Sequence, residues 1–547
     1  MTMNVHFVEP VEAAVLDASH IGPIRGAFGT IPHGDFAPRN SWRRRLTTLL
    51  AILGPGLIVM AGDNDAGAFA TYGQAGQTYG TTLLWTLALL IPVLYVNQEM
   101  VLRLGAVTGV GHARLIFERF GKFWGAFSVI DLFLLNALTI VTEFIGISLA
   151  LDYLGLNKVG GVLVAAGLII AAAGTGDFRR FERFAMLLVF GSLLLLPISF
   201  AVHPPLAQVA RDFVVPQFPG TGKMSDIMLL VIALVGTTVA PWQLFFQQSY
   251  VVDKRITPRF IRYERLDLWL GIALVVIGAL AIIAFAAAAF AGTPEFGHFT
   301  DAGAIAVGLE KTAGRAVGVM FAVALIDAAL IGAAAVSLST AYAIGDVFSA
   351  SHSLHRKVSD AKGFYAVYAC LIGVAAAIVL TPGAPLGLLT VAVQTLAGVL
   401  LPSATVFLLL LCNDRAVLGP WVNGRWVNAL TGAVIAALVA LSMILTVSVL
   451  FPDWADERMI VSILAGTAAV AAIAVALAVF GPKRAAKEPV LPAAFDRDAW
   501  RMPPLHKLSP AKLSVAARSW MAVLRLYLVV AGGLVLVRIV SLAIGAG

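Results

Sequence analysis

The chain is poor in charge and in cysteine, and each shortage excludes a class of protein. Only 13% of its 547 residues are charged, whereas 59% are hydrophobic and the mean hydropathy is +0.89, well above the range of water-soluble domains. Its two cysteines, Cys370 and Cys412, stand far apart, which argues against a disulfide framework and a thiolate metal site. No nucleophile and base pair, phosphate loop or cofactor motif stands out, so we predict neither an enzyme nor a cofactor. The composition indicates an integral membrane protein.

Long hydrophobic runs that are apolar on all sides dominate the chain, and they predict membrane helices rather than the alternating strands of a barrel. The expected class is therefore an all-α integral membrane protein. We predict twelve spans and an ambiguous thirteenth stretch, at residues 46–70, 80–103, 124–150, 158–174, 184–202, 226–248, 266–292, 315–343, 364–381, 386–411, 428–450, 460–480 and 520–546.

Basic residues cluster beside the first, fourth and sixth spans, which puts them on one side if the spans alternate. This bias predicts a plasma-membrane protein with a cytoplasmic amino terminus, and contact with anionic lipid accounts for the net charge of +7 without a nucleic-acid partner. We expect a mobile cytoplasmic arm at 1–42, a five-span unit at 43–202, an extracellular or periplasmic loop at 203–225, a second five-span unit at 226–412, two spans at 428–480, a cytoplasmic linker at 483–518 and a membrane segment at 519–547.

Two spans carry interruptions where a membrane helix is normally continuous. The first contains GDNDAG, whose Asp and Asn residues compete with the backbone for hydrogen bonds. The sixth contains VGTTVAPW, in which Pro241 removes a backbone N–H. Because the interruptions are five spans apart, spans 1–5 and 6–10 are expected to form inverted repeats whose broken helices face each other. A lone proline is common in membrane helices, but the carboxylates at the matching break favour an ion site.

The segment GPGLIVMAGDNDAGAFATYGQAG, followed by QEMVLRLGAVTG, TEFIG, VGTTVAPW and LPSATVFLLLLCNDRAVLG, resembles the Nramp family of divalent-metal transporters, and more closely its magnesium-transporter branch. The likeness covers residues 46–420. It implies a LeuT-type fold of two inverted five-helix repeats, to which this chain adds two or three C-terminal helices. We expect a monomeric transport unit in a lipid environment.

Two family motifs are altered here. The first-span motif Asp-Pro-Gly-Asn corresponds to Asp65, Ala66, Gly67 and Ala68, so the resemblance implies that the metal-binding aspartate is kept and the asparagine is lost. The sixth-span motif Met-Pro-His corresponds to Ala240, Pro241 and Trp242, so the thioether and the imidazole are both absent.

The remaining donors predict an oxygen site for a hard cation, because Met favours transition metals whereas carboxylate, carbonyl and water suit Mg²⁺ and Mn²⁺. None of the nine histidines falls in the middle of a predicted span. The predicted ligands are Asp65, Asn64 or Asp63, Gln394, and backbone carbonyls near Gly62, Val239 and Ala240, with Thr238 bonding the freed carbonyls. The lost ligands leave room for a hydrated ion, unless Trp242 fills it. We predict Mg²⁺ as cargo, Mn²⁺ second and Cd²⁺ poorly bound.

The role of Asp63 has three open interpretations: direct coordination, capping of the broken half-helix, or attraction of cations at the vestibule. Titratable groups for a proton relay are scarce. Glu143 in TEFIG matches one family acid and either relays a proton or bonds within the bundle, and Asp327 on the eighth span is a functional hypothesis by default. We predict cation uptake with weak or no proton coupling. The alternatives are a proton-coupled Mn²⁺/Fe²⁺ transporter, a non-transporting sensor and an organic-solute symporter of the same fold.

Overall fold

A computed structural model of the chain describes residues 16–508, apart from 36, 221, 382–385, 452–455 and 481–496, and a scatter of residues beyond 509. A short hairpin, β1 (Ile24–Gly26) and β2 (Gly29–Ile31), precedes the helices. The first half holds α1 (Trp42–Ile52), α2 (Pro55–Ala61), α3 (Ala66–Tyr79), α4 (Trp85–Thr108), α5 (His112–Phe120), α6 (Lys122–Leu154), α7 (Lys158–Gly174), α8 (Phe178–Gly191), α9 (Leu195–Val202) and α10 (Leu206–Val214). The second half holds α11 (Met224–Thr238), α12 (Pro241–Asp253), α13 (Ile261–Phe290), α14 (Ala302–Ala313), α15 (Arg315–Phe348), α16 (Lys362–Val379), α17 (Leu386–Cys412), α18 (Arg415–Leu418), α19 (Arg425–Leu450) and α20 (Glu457–Phe480).

Each of the twelve predicted spans corresponds to one helix or to a run of consecutive helices, which confirms the all-α class. Among the described residues, nine helices are long and apolar enough to cross a membrane, or ten if the bent pair α1 and α2 is one span. The helix α7 is shorter, at 17 residues. The predicted thirteenth stretch lies mostly outside the described residues.

The two predicted breaks are present, five spans apart. In the first span, α2 ends at Ala61 and α3 begins at Ala66; in the sixth, α11 ends at Thr238 and α12 begins at Pro241. The helix α3 packs against α11, and both pack against α17. The core is a LeuT-type fold, in which α19 and α20 follow the second repeat.

A further bend separates α1 from α2, whose axes differ by 47°. Gly54 at this bend has φ +151°, a conformation that side-chain-bearing residues rarely adopt. A Cβ there would also lie 2.3 Å from Glu182 Oε1. Both the backbone and the close neighbour therefore require glycine.

The amino-terminal hairpin packs onto the bundle, which differs from the mobile arm predicted for residues 1–42; residues 1–15 of that arm lie outside the described residues. Ile24, Ala27 and Ile31 are buried. The turn is held by Glu182 of α8, whose Oε2 accepts a hydrogen bond from Ala27 N at 2.5 Å, and by Arg183, whose Nε donates to Ala27 O at 3.1 Å. The composition of the arm could not reveal these partners, which stand about 155 positions later in the chain.

Other polar segments are also more ordered than their composition suggests. Met502, in the predicted linker, is fully buried and donates its backbone N–H to Val107 O at 3.3 Å. The predicted loop at 203–225 contains α10, where Asp212 accepts a hydrogen bond from Thr81 Oγ1 at 2.5 Å. These contacts hold the polar segments against the ends of the membrane helices.

Candidate functional site

Asp65 stands at the head of α3, where the first-span break ends. Its backbone is extended, and its Oδ1 accepts a hydrogen bond from Ala68 N at 2.8 Å, as an N-cap residue does. Glu143 of α6 reaches the same terminus, where its Oε2 accepts from Ala66 N at 3.0 Å. Two acidic side chains therefore converge on a helix N-terminus, whose dipole favours negative charge.

Glycine at position 332 allows this convergence. A Cβ on Gly332 of α15 would lie 2.8 Å from Glu143 Cδ and 2.9 Å from Asp65 Cβ. Any side chain there would push the two acidic groups away from the helix terminus. At Gly332 the eighth span thus leaves room for the two acidic groups, and this residue has no side chain that could bind an ion.

Gln394 of α17 lies beside the same helix terminus. A Cβ on Gly67 would stand 1.6 Å from Gln394 Nε2, and that nitrogen has no hydrogen-bond partner. The backbone of Gln394 is equally close to the sixth span, since a Cβ on Gly236 would lie 2.1 Å from Gln394 O. The structure therefore brings Asp65 and Gln394, two of the predicted ligands, close together at the two breaks.

At the sixth-span break, Val239 (φ −135°, ψ 88°) and Ala240 (φ −95°, ψ 147°) leave the helical conformation. Trp242 is buried, and its ring lies against Gly62, where a Cβ would be 3.3 Å from Trp242 Cη2. Thus Trp242 narrows the space between the two breaks.

Thr238 donates its hydroxyl to Leu234 O at 2.6 Å and lies 2.8 Å from the hydroxyl of Tyr72. The side chain of Thr238 therefore ties α11 to α3. The contact with Tyr72 joins the two broken spans, and neither bond caps a carbonyl at the break itself.

The three polar side chains of the first break point to three different helices. Asp65 caps α3, whereas Asp63 Oδ1 accepts a hydrogen bond from Gln243 Nε2 of α12. Asn64 Nδ2 donates to Val275 O of α13 at 3.2 Å. In this conformation Asp63 and Asn64 do not join Asp65 around one point, in contrast to the predicted ligand set.

Gln243 and Gln98 are polar residues of this region that the sequence reasoning missed. Gln98 Nε2 of α4 donates to Gln243 Oε1 at 2.7 Å, and both side chains are fully buried. The sequence could have indicated them, because both are glutamines within apolar spans, and a buried amide needs a hydrogen-bond partner or a function.

Asp327 does not reach the site. It lies on α15 against Gly191 of α8, where a Cβ would be 2.1 Å from Asp327 Oδ1. This contact belongs to the interface of the fifth and eighth spans. A relay from Asp65 through Glu143 to Asp327 therefore has no support in this conformation.

The central residues are closed to solvent, with Asp65 and Gln394 each 3% exposed and Trp242 1% exposed. Within the described residues, no three His, Cys, Asp or Glu side chains form a group that could hold a metal ion.

A family model, relatives of similar sequence and solved structures of similar fold all match this chain. The family model described as natural resistance-associated macrophage protein-like, Nramp, matches residues 56–448. A protein of Ralstonia nicotianae named divalent metal cation transporter MntH is 30% identical over 406 residues, which are 71% of this chain and 89% of the relative. Its namesake in Bacillus subtilis is 27% identical over 464 residues, 82% of this chain and 99% of the relative. The crystal structure of a mutant manganese transporter from Eremococcus coleocola has the same fold, with a TM-score of 0.62 at 18% identity over 84% of this chain and 97% of that one.

Proposed function

Because the chain belongs to the Nramp family, we propose that it is a secondary transporter that takes up divalent metal cations across the plasma membrane by alternating access, with its amino terminus in the cytoplasm. The relatives named divalent metal cation transporters and the similar manganese transporter support a divalent cation as cargo. The family is one of membrane metal transporters and not of enzymes.

The observation that carries this proposal is the burial of Asp65 between two broken helices. A carboxylate inside the membrane is costly unless a charge or polar groups stabilise it. Here Asp65 has the amide of Gln394 beside it and the unwound backbone of the sixth span across from it. A cation would complete this set of oxygens and balance the charge.

The central site then uses the carboxylate of Asp65 and backbone carbonyls at Gly62, Val239 and Ala240. Gln394, whose amide nitrogen now lies against Gly67, would add its oxygen after the amide rotates. Asn64, which now faces α13, and Asp63, which faces α12, would contribute only after the break rearranges. Ala66, Gly67, Ala68 and Pro241 shape the pocket without offering side-chain donors.

The donor chemistry favours Mg²⁺, with Mn²⁺ second. Ala240 and Trp242 supply no soft ligand, and Met60 packs on the seventh span, where a Cβ on Gly271 would lie 2.8 Å from Met60 Cγ. Mg²⁺ binds oxygen and keeps several of its waters. Since Trp242 narrows one side, those waters would lie on the side of the small residues Ala68 and Ala240.

Uptake would be driven mainly by the membrane potential, which contributes about 2.3 kcal/mol per charge per 100 mV. Glu143 is already engaged with the backbone of α3, and its carboxylate lies beside Asp65. A proton-coupled Mn²⁺/Fe²⁺ transporter is the second candidate. The closeness of Glu143 to Asp65 is the observation that favours it.

Isothermal titration of the purified protein with Mg²⁺, Mn²⁺ and Cd²⁺ tests this proposal. Wild type should bind Mg²⁺ and Mn²⁺ more tightly than Cd²⁺, and Asp65→Ala should lose the central site. Asp131→Asn is the matched control, because it removes an intramembrane carboxylate of α6 that lies away from the breaks, in a groove lined by Leu396 and Leu400. Tighter binding of Cd²⁺, or unchanged binding by Asp65→Ala, would overturn the proposal.

A further inference from the structure

Asp63, Gln243 and Gln98 form a hydrogen-bonded chain from the first span through the sixth to the second. Gln243 Nε2 donates to Asp63 Oδ1, and Gln98 Nε2 donates to Gln243 Oε1 at 2.7 Å. None of the three residues is more than 1% exposed. The chain lies where α12 packs against α4. Its members are distinct from Glu143 and Ala68, which flank Asp65.

The direction of donation determines which atoms remain free. A carboxylate oxygen accepts, so Gln243 turns its amide nitrogen to Asp63 and its oxygen to Gln98, which must then donate. The free atoms at the two ends are Asp63 Oδ2 and Gln98 Oε1, and neither has a hydrogen-bond partner. Both ends of the chain are therefore acceptors, and a buried acceptor without a donor is costly.

Two further amides on the helices that carry this chain also lack partners. Gln247 follows Gln243 by one turn on the same face of α12, and Asn97 precedes Gln98 on α4. Both are fully buried, and neither amide atom of either side chain has a hydrogen-bond partner. Buried polar groups are almost always paired with protein or water. The two unsatisfied ends of the chain, together with Gln247 on the same face of α12 as Gln243, indicate a place built for water or an ion.

We propose that this group is a second station for a divalent cation, on the cytoplasmic side of the Asp65 site, which holds the ion together with part of its water shell. The proposal rests on the transport function proposed above. The helix α12 runs from the sixth-span break towards Lys254, which donates to the carbonyls of Ile52 and Leu53. These two residues precede the first-span break, on the same side of the bundle as the amino terminus. A cation that leaves Asp65 in that direction therefore meets Asp63 and the amides next.

The donors suit a hydrated ion. Asp63 supplies one negative charge, and the amide oxygens of Gln98 and Gln247 accept hydrogen bonds from bound waters. Mg²⁺ dehydrates reluctantly and is usually bound through one or two carboxylates with several waters kept. One carboxylate with neutral amides thus gives a site that receives the ion without stripping it and releases it readily.

The stoichiometry of Mn²⁺ binding to the purified full-length protein tests the second station. Wild type is expected to bind two ions. Asp63→Asn keeps an acceptor for Gln243 but loses the charge, so it should bind one ion, whereas Asp65→Ala should bind one ion at the remaining station. Gln77→Leu is the matched control, since this buried glutamine lies at the far end of α3 and contacts Glu295 O instead. The control should bind two.

The possible failures separate the two proposals. One ion in wild type that is lost in Asp65→Ala would overturn the second station and leave the transport site in place. Two ions in both wild type and Asp63→Asn would also overturn the station. Two ions in wild type and in Asp65→Ala would instead overturn the proposed central site.

A gain of affinity tests the station from the opposite direction, by adding a ligand instead of removing one. Gln247→Glu adds a carboxylate at a residue that makes no side-chain hydrogen bond, so no existing bond is broken. The second ion should then bind about tenfold more tightly, because ligand charge raises the affinity for hard cations. An unchanged affinity of both ions would contradict the proposal.

Discussion

Glu143 and Ala66 are joined across two helices: the carboxylate of Glu143 on α6 accepts a 3.0 Å hydrogen bond from the backbone nitrogen that begins α3. A glutamine oxygen can accept the same bond, so Glu143→Gln should transport nearly as well as wild type. Glu143→Leu leaves that buried N–H unpaired, which costs about 1–3 kcal/mol, and should reduce transport roughly tenfold to a hundredfold.

Metal uptake into proteoliposomes that contain a pH-sensitive dye measures both effects. We expect Mg²⁺ entry without matching acidification of the lumen in wild type and in Glu143→Gln. Acidification that tracks uptake, together with equal losses in the Gln and Leu variants, would instead assign Glu143 a proton-carrying role.

A side chain at Gly67 would meet the end of Gln394, because a Cβ there would lie 1.6 Å from Gln394 Nε2. Gly67→Ala should therefore displace Gln394 and weaken cation binding severely. Gly167→Ala on α7 is the matched control, since a Cβ there meets nothing within 4 Å. Titration calorimetry measures the binding. Normal affinity of Gly67→Ala would show that Gln394 is not held where the ion binds.

Lys254 and Glu182 form a fully buried ion pair, 2.6 Å from Nζ to Oε1, and Lys254 also donates to the carbonyls of Ile52 and Leu53. Lys254→Met leaves the Glu182 charge buried without its cation, which typically costs about 3–5 kcal/mol. The double variant Lys254→Met with Glu182→Met removes both charges and should recover much of the loss.

Thermal unfolding of the three proteins in the same detergent compares their stabilities. The single variant should have the lowest Tm, and the double variant should lie between it and wild type. If the single variant had the same Tm as wild type, the ion pair would not stabilise the packing of α1 against α8 and α12.

The loop residue His352 should make stability depend on pH. Its Nδ1 lies 2.7 Å from Ala350 O and its Nε2 3.1 Å from Asp346 Oδ1, so both nitrogens face acceptors. Burial lowers the pKa of His352, but the hydrogen bond and the charge of Asp346 outweigh burial, and the pKa is raised above its ordinary 6.5. Asp253 adds to this rise, and the ring of His20 lies 6.0 Å away.

Because the folded pKa of His352 exceeds the unfolded one, the stabilisation is fully present below about pH 6.5 and is lost as the pH rises through the raised value. The difference in Tm between wild type and His352→Gln should therefore be larger at pH 6 than at pH 9. His203→Gln, at an exposed position, is the control and should show no such trend. A difference that grows with pH would contradict the assignment.

The spans and breaks could be predicted from the sequence because apolar length and intramembrane Pro241, Asp63 and Asp65 are local signals. The directions of the side chains in GDNDAG could not, since they depend on partners such as Gln243 and Val275, far along the chain. The packed hairpin was missed for the same reason: its partner is Glu182, within α8. Nor does the sequence around Gly67 reveal that Gln394 lies against it. The local sequence pattern predicts the helices and their breaks. The hydrogen-bond partners of the polar side chains depend on contacts between residues that are far apart in the chain.

Competitive uptake of Mg²⁺ and Cd²⁺ into proteoliposomes, with wild type and Asp65→Ala side by side, tests the central claim most directly. The oxygen-only site predicts saturable Mg²⁺ uptake that Cd²⁺ inhibits poorly and that Asp65→Ala abolishes, while Asp131→Asn remains active. Saturable Cd²⁺ uptake that exceeds Mg²⁺ uptake, or undiminished transport by Asp65→Ala, would contradict it.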